Sequence, residues 1–257
     1  MNQIEMLSDQ VPESFVKEWY SMGSEGHVWF DWRFRVFVKQ LESLEISLHN
    51  NYNILDIGCG QGIMRNQIES ISNWVVNGCD TNMEGLSMNT SDRGRTLYYD
   101  IHNRIPVFKD SYDGLLVYDV LEHIEDTCEF IESALFHVKK GGWIFVNVPS
   151  LNVLFSHYDI AVGHHRRYNK KTLAEELSGH SIVIKDMRYW GFSMIPFLFA
   201  RKYMYAVTKK NIVKRGFTAP NKLIDELVRK IMGIETSIQR SPYVGTSLMA
   251  ACIKSDS

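Results

Sequence analysis

The period of hydrophobic and polar positions changes along the chain. From Val28 to Leu48 apolar residues recur every three to four positions, with Trp29, Phe30, Trp32, Phe34 and Phe37 among them, and this spacing predicts a long amphipathic helix. Val11–Tyr20 predicts a shorter one, and the polar, glycine-containing SMGSEGH separates the two. From Tyr52 onward the pattern becomes short apolar runs alternating with helical segments. Strands are predicted at Tyr52–Ile57, Trp74–Cys79, Thr96–Tyr99, Tyr112–Tyr118 and Trp143–Val148. Helices are predicted at Ile63–Ser70 and Ile124–Lys139, the second capped by Gly141-Gly142. Such apolar strands alternating with helices predict an α/β fold, a parallel sheet covered on both faces. After Pro149 come a polar loop, a helix at Lys171–Leu177, and strands at Ile182–Tyr189 and Ser247–Ile253. More than fifty residues separate these last two strands, far more than a hairpin needs, so a helical insertion is expected between them.

Composition removes several classes. The chain has 257 residues, 45% hydrophobic and 23% charged, which excludes a disordered, fibrous or disulfide-stapled protein. Cys59, Cys79, Cys128 and Cys252 lie far apart without zinc-like spacing, so a reduced compartment and no structural metal are expected. The first ten residues lack the basic and apolar regions of a signal peptide, and the uncharged run Gly191–Ala200 is half of the roughly 20 residues a membrane span needs. A cytoplasmic location is the expectation. The net charge of −2 hides an asymmetry: residues 1–158 hold 22 acids and 11 bases, residues 159–257 hold 8 acids and 17 bases. From Met187 to Ile224 there are eight bases and no acid, mixed with aromatic and aliphatic residues. That composition suits peripheral contact with an anionic inner membrane surface or a phosphorylated or lipid-linked substrate. An RNA backbone or a solvated cap would also accommodate it.

The densest chemistry lies in Asn53-Ile-Leu-Asp-Ile-Gly-Cys-Gly-Gln-Gly62. A hydrophobic strand runs into Gly58, Gly60 and Gly62, and a helix opens at once, so backbone N–H groups meet a ligand closely. The dinucleotide fingerprint is GxGxxG; here the spacing is GxGxG, with Asp56 at the strand end. Further acids stand at the expected carboxyl ends of strands: Asp80, able to accept both hydroxyls of a ribose, Asp100, able to take an adenine amino group, and Asp119.

On these residues the chain resembles class I S-adenosylmethionine-dependent methyltransferases over about residues 50–190. LDIGCGQG resembles the first motif, GCD the second, YYDI the adenine turn, and YDVLEHIED with VKKGGWIFVNVP the fourth-strand segment and the following turn. The resemblance implies a Rossmann-like, doubly wound sheet of seven strands, mostly parallel with the last antiparallel. Around that cofactor-binding core, taken as 51–190, the chain pattern predicts an N-terminal helical lid (1–50), whose aromatic stripe also suits packing on the sheet, a basic and aromatic helical insertion (191–244) and a final strand with tail (245–257). By the resemblance, Gly58, Gly60 and Gly62 line the methionine part of S-adenosylmethionine, Asp80 binds ribose and Asp100 adenine. Asp56, Cys59, Thr81, Ile101 and Asp119 stand beside them at the same strand ends. HVWFDWRFR and VGHHRRYNKKTL are similar to segments of bacterial methyltransferases of cell-envelope glycan or lipid biosynthesis.

Methyl transfer to a hydroxyl needs a base, and histidine titrates in the right range. The run Gly163-His-His-Arg-Arg-Tyr168 offers His165 first and His164 second, with Tyr168 beside them and Arg166 to hold an anionic acceptor. His27, Trp29 and His123 are expected to line the acceptor site. Asp119, Glu122 and His123, at i, i+3 and i+4, form a set that with His164 or His165 suits a divalent ion, as in small-RNA terminal ribose and some quinone methyltransferases. Glu-His after the fourth strand also occurs without metal in this fold, and no metal is the reading preferred. DNA is excluded as substrate, since the chain lacks an (N/D)PP(Y/F) motif after the fourth strand and a Pro-Cys pair. The expected activity is O-methylation of a small, anionic metabolite or an envelope precursor. A metal-dependent RNA or quinone enzyme and a non-catalytic cofactor-binding module are the alternatives.

Overall fold

The apolar runs assemble into one sheet of eight strands. The structure, a computed structural model, describes residues 3–10, 27–207, 222–238 and 241–255. In chain order the elements are β1 (Ile4–Met6), α1 (Val28–Ser43), β2 (Asn53–Ile57), α2 (Ile63–Ile71), β3 (Val75–Asp80), α3 (Met83–Ser87), β4 (Thr96–Tyr98) and β5 (Tyr112–Tyr118). There follow α4 (Thr127–His137), β6 (Val138–Pro149), α5 (His157–Ala161), α6 (Lys170–Ser178), β7 (Ile182–Trp190), α7 (Ile195–Val207), α8 (Lys222–Ser237) and β8 (Ser247–Lys254). The strand order is β1-β4-β3-β2-β5-β6-β8-β7. All pairings from β1 to β6 are parallel, and β8 runs antiparallel to both β6 and β7.

Successive strand residues point to opposite faces, so each strand feeds two cores. Leu55, Leu115 and Ile144 are in register and pack with Phe130 and Ile131 of α4 and Leu173 of α6. Their neighbours Ile54, Leu116 and Phe145 pack with Trp32 and Phe37 of α1 and Ile68 of α2. Phe37 meets the rings of Trp74, Tyr118 and Phe145 edge-on at 5.2–6.2 Å. The aromatic stripe of α1 is therefore packed as a core layer; residues 11–26 of the segment expected to form a lid, Val11–Tyr20 among them, lie outside the described residues.

The structure differs from the sequence expectation in several places. The sheet has eight strands rather than seven, because Ile4–Met6 pairs in parallel with β4, so the 1–50 segment is not wholly helical. A three-residue strand is too short to display a period; it is held by the N–H of Leu7 donating to the Tyr98 carbonyl (3.0 Å) and by a two-pronged Arg95–Glu5 pair. Gly141 and Gly142 do not cap α4: the helix ends at His137 and both glycines lie inside β6. Gly142 is needed there because a Cβ would sit 2.6 Å from Val138 Cγ2 and 2.9 Å from the Asp113 carbonyl oxygen. α4 starts three residues later than expected, where the Asp126 carboxylate accepts from the N–H groups of Cys128 and Glu129. In the insertion, α8 packs on α1 through buried Met232 and an Arg229–Asp31 pair at 2.7 Å. α7 packs on α5 and on the 3-10 turn Asn152–Leu154.

The order of strands reverses between β2 and β5. In open α/β sheets ligands bind outside the carboxyl ends of the strands at such a point.

Candidate active site

The loop leaving β2 is shaped by its glycines. Gly58, Gly60 and Gly62 all have φ between 51° and 73°, a region costly for residues with a Cβ. The loop is tied down by the N–H groups of Gly58 and Cys59, which donate to the Cys79 carbonyl at 2.9 and 3.2 Å. Asn89, which sequence reasoning missed, braces it from the other side: Nδ2 donates to the Gly60 carbonyl (3.0 Å), and a Cβ on Gly62 would lie 2.1 Å from its Oδ1. Gly62 opens α2 without a side-chain cap, leaving the first helical N–H groups for an anion.

Each expected acid stands at the end of its strand. Asp80 accepts from the Gly60 N–H (2.9 Å) through Oδ2 and from the Asn82 N–H (2.8 Å) through Oδ1. Burial raises its carboxyl and these N–H groups oppose the rise, so its first task is to hold the glycine loop against β3. Thr81 follows it into the turn before α3. Asp100 accepts from the His102 N–H (3.0 Å) and caps the 3-10 turn that begins at Ile101; its own N–H donates to Ser8 Oγ (2.9 Å), a contact that only β1 creates. Asp56 is 3% exposed, and burial lifts its carboxyl to about 7 against the pull of Arg33 and Arg65, with Asp80 adding to the rise. Burial likewise pushes the Cys59 thiol up, so it is a neutral wall of the loop.

Asp119 has φ +57° and is pinned. Arg33 Nη1 donates to Oδ2 and Asn147 Nδ2 to Oδ1, both at 2.6 Å, while Asn147 Oδ1 accepts from Trp190 Nε1 at 2.9 Å. Trp190 in turn packs against Trp29 with the rings tilted and their centroids 4.6 Å apart. Trp29 is thus packed into this aromatic group, and His27 caps α1 by accepting from the Trp29 N–H (3.2 Å). Arg33 and Asn147 lie in the segments HVWFDWRFR and VKKGGWIFVNVP, but nothing in those segments names their partners, which are distant in the chain.

The loop after β6 resolves the histidines. His164, not His165, is the organised one. Its Nδ1 faces Asp159 Oδ1 at 3.1 Å and its Nε2 faces Glu122 Oε1 at 3.9 Å, with the side chain 14% exposed. Burial works to raise the Asp159 carboxyl, but the His164 hydrogen bond and the Arg167 guanidinium at 2.7 Å hold it well below the usual carboxylate range. Glu122 is the reverse: burial, reinforced by Asp119, raises its carboxyl, and its Oε2 is buried without a partner. Environments that push two carboxyls apart in this way are characteristic of acid–base sites. His123 packs edge-on against His164 at 4.7 Å, and burial first, then the neighbouring His164, pushes it down to about 3.

Three expected participants are placed elsewhere. His165 is exposed and contributes its backbone N–H to the Glu122 carbonyl (2.8 Å). Arg166 Nη2 donates to the Ile124 and Glu125 carbonyls at 3.1 and 2.8 Å, so it fastens the loop rather than clamping an anion. Tyr168 belongs to the core, 2% exposed, with its hydroxyl at 3.4 Å from the Leu121 carbonyl. For a metal, Glu122, His123 and His164 each offer one ligand atom within 4.8 Å of the others; Asp119, engaged with Arg33 and Asn147, is not in the group.

The donor set fits S-adenosylmethionine: an uncapped helix end and glycine loop for a carboxylate, and acids at three strand ends for an amine, a ribose and an adenine. The chain matches the family model described as "Methyltransferase domain" over residues 27–195. It is 29% identical over 132 residues to a ubiquinone biosynthesis O-methyltransferase of Hydrogenovibrio crunogenus, covering 49% of this chain and 52% of that protein. It is 30% identical over 109 residues to the Paraburkholderia phymatum protein of the same name, covering 39% and 45%. The matches thus span about half the length of these curated relatives. Among solved structures it is similar to the plantazolicin methyltransferase BpumL in complex with SAH, with a TM-score of 0.56, 17% identity, and 90% and 86% of the two chains covered. It is also similar to phosphoethanolamine N-methyltransferase 2 of Haemonchus contortus in complex with S-adenosyl-L-methionine, with a TM-score of 0.53, 16% identity, and 87% and 52% covered. Those two likenesses concern the fold. A glycine loop and strand-end acids at the switch point of this sheet, and a family match over most of the chain, lead to one conclusion: the chain belongs to the methyltransferase domain family, with a fold similar to that of S-adenosylmethionine-dependent methyltransferases.

Proposed function

We propose that the chain methylates an oxygen of a small, anionic acceptor, a metabolite or a glycan or lipid precursor of the cell envelope, with His164 as the base. The observation that carries this reading is the placement of His164 between Asp159, whose carboxyl is held well below the usual range, and Glu122, whose carboxyl burial raises. An N–H on Nδ1 directed at Asp159 leaves Nε2 as the acceptor for a hydroxyl proton. Arg167 neutralises Asp159 once the imidazole is neutral, and its donation to the Ser150 carbonyl (3.0 Å) keeps the pair aligned with the end of β6. Bound S-adenosylmethionine supplies an electrophilic methyl on a neutral leaving group, so alignment and proton removal are what the chain itself must provide. The O-methyltransferase names of the curated relatives support oxygen as the acceptor atom. The bases of residues 187–224 support an anionic acceptor and a cytoplasmic enzyme in peripheral contact with the membrane.

The test combines labelled cofactor with fractionated extract. His164→Ala is expected to lower turnover about 10²–10⁴-fold with cofactor affinity unchanged, while His165→Ala stays within about tenfold of the parent. Equal turnover in the His164 variant would overturn the assignment, and binding without labelling of any fraction would favour a non-catalytic module. A second reading rests on the grouping of Glu122, His123 and His164, whose imidazoles and carboxylate suit a divalent ion as in a quinone- or RNA-type enzyme. Activity lost to a chelator and restored by Mg²⁺ or Mn²⁺ would select it; activity indifferent to chelator selects the base.

A further inference from the structure

α7 turns the wrong side outward for a surface helix. At roughly 100° per residue, Phe199, Tyr203, Pro196, Ala200, Met204 and Phe197 fall within one arc of about 160°. All six are exposed, with Phe197 at 50% and Tyr203 at 78%. Leu198 lies on the opposite, inward side, and Arg201 and Lys202 border the arc on its two flanks. An ordinary surface helix shows its polar face to water, and soluble chains rarely keep a contiguous apolar face of this kind without an occupant. The neighbouring elements enlarge it: Val153 and Ile160, 57% and 63% exposed, stand on the two segments against which α7 packs.

We propose that this face docks on an anionic phospholipid surface. Charge decides the occupant. The run from Met187 to Ile224 has eight bases and no acid, while the rest of the chain has a net negative charge. A lipid interface accepts an apolar arc between basic flanks, with rings and thioether below the headgroups and cations among the phosphates. Arg201 and Lys202 are already pinned at the borders: the Arg201 guanidinium lies 4.1 Å over the Tyr158 ring, and Lys202 Nζ donates to the Val153 carbonyl at 2.6 Å. No described helix is long and apolar enough to cross a membrane, so the contact is interfacial. Tyr158 is followed by Asp159, the partner of His164, so the docked face and the proposed base share one short helix.

The experiment is co-sedimentation of the full chain with vesicles of phosphatidylcholine alone and of phosphatidylcholine with phosphatidylglycerol. Binding is expected to the anionic vesicles and to fall with salt. Lys209→Glu with Lys210→Glu is expected to weaken it at least about tenfold, and Phe197→Asp with Tyr203→Asp to abolish it. Far-UV circular dichroism and cofactor affinity, read in the same preparations, should match the parent for both pairs. This separates failure of the docking from failure of the methyl-transfer reading. No binding to anionic vesicles, equal binding by the Phe197/Tyr203 variant, or a dimer that this variant dissolves would each overturn the proposal.

Discussion

A carboxyl that titrates near neutrality at the mouth of a glycine loop makes cofactor binding sensitive to pH. Asp56 is raised to about 7 by burial, so near pH 7 the ligand-free protein holds it half protonated. A ligand bringing a cation to the loop favours the ionised form. The affinity for S-adenosylmethionine should therefore rise with pH, by at most about tenfold per unit, until pH 7 is passed, and then level off. Calorimetric titrations at pH 6, 7 and 8 would show the curve, and Asp56→Asn should flatten it. At the scale of single residues, what was legible was whatever a local motif displays: the glycines, Asp56, Asp80 and Asp100. Asp119 was read from its strand end as well, but its pairing with Arg33, 86 positions away, and the brace that Asn89 puts on a loop 29 positions earlier are seen only in the folded sheet. His164 and His165 look alike in the sequence. They part because one ring meets Asp159 and the other points to water.

Elements were legible where a period ran long enough to declare itself. α1, α2 and β5 lie where their apolar spacing predicts, while α4 begins three residues late at its Asp126 cap and β6 begins five residues early at Val138. β1 and α3 were invisible because three and five residues fall short of two periods, so no repeat is displayed. The join between β7 and α7 depends on a partner from another element. Glu235 of α8 accepts from the N–H groups of Gly191, Phe192 and Ser193 at 2.8–3.0 Å and from Ser193 Oγ at 2.7 Å. Gly191, at φ +77°, makes the turn possible. Removing the carboxylate by Glu235→Ala should leave the three amides open to water and destabilise the α7–α8 unit by about 1–3 kcal/mol. Hydrogen exchange is the direct measure: these amides should lose protection while those of β5 keep theirs.

For the molecule as a whole, the class of fold was legible because continuous apolar strands can only be buried on both faces, and the switch point then locates the ligand. The number of strands was not, since an edge strand needs no pattern of its own. β8 has neighbours on both sides and, among the described residues, is the only strand paired with β7. Deleting Ser247–Lys254 should therefore abolish cooperative unfolding rather than lower its midpoint, a result that thermal circular dichroism would show. The register places Trp190 directly opposite Ser247. A two-residue turn would suffice to connect two antiparallel strands so aligned, yet the chain travels through residues 191–246 before it returns. The sheet is thus topologically indifferent to what fills that detour. Closing so long a loop slows assembly, and a chain with a short turn grafted between β7 and β8 would reach the native sheet sooner. Apart from the face of α8 that carries Met232 and Arg229, the detour can be lengthened or re-aimed without redrawing the rest, and its cost is time spent folding.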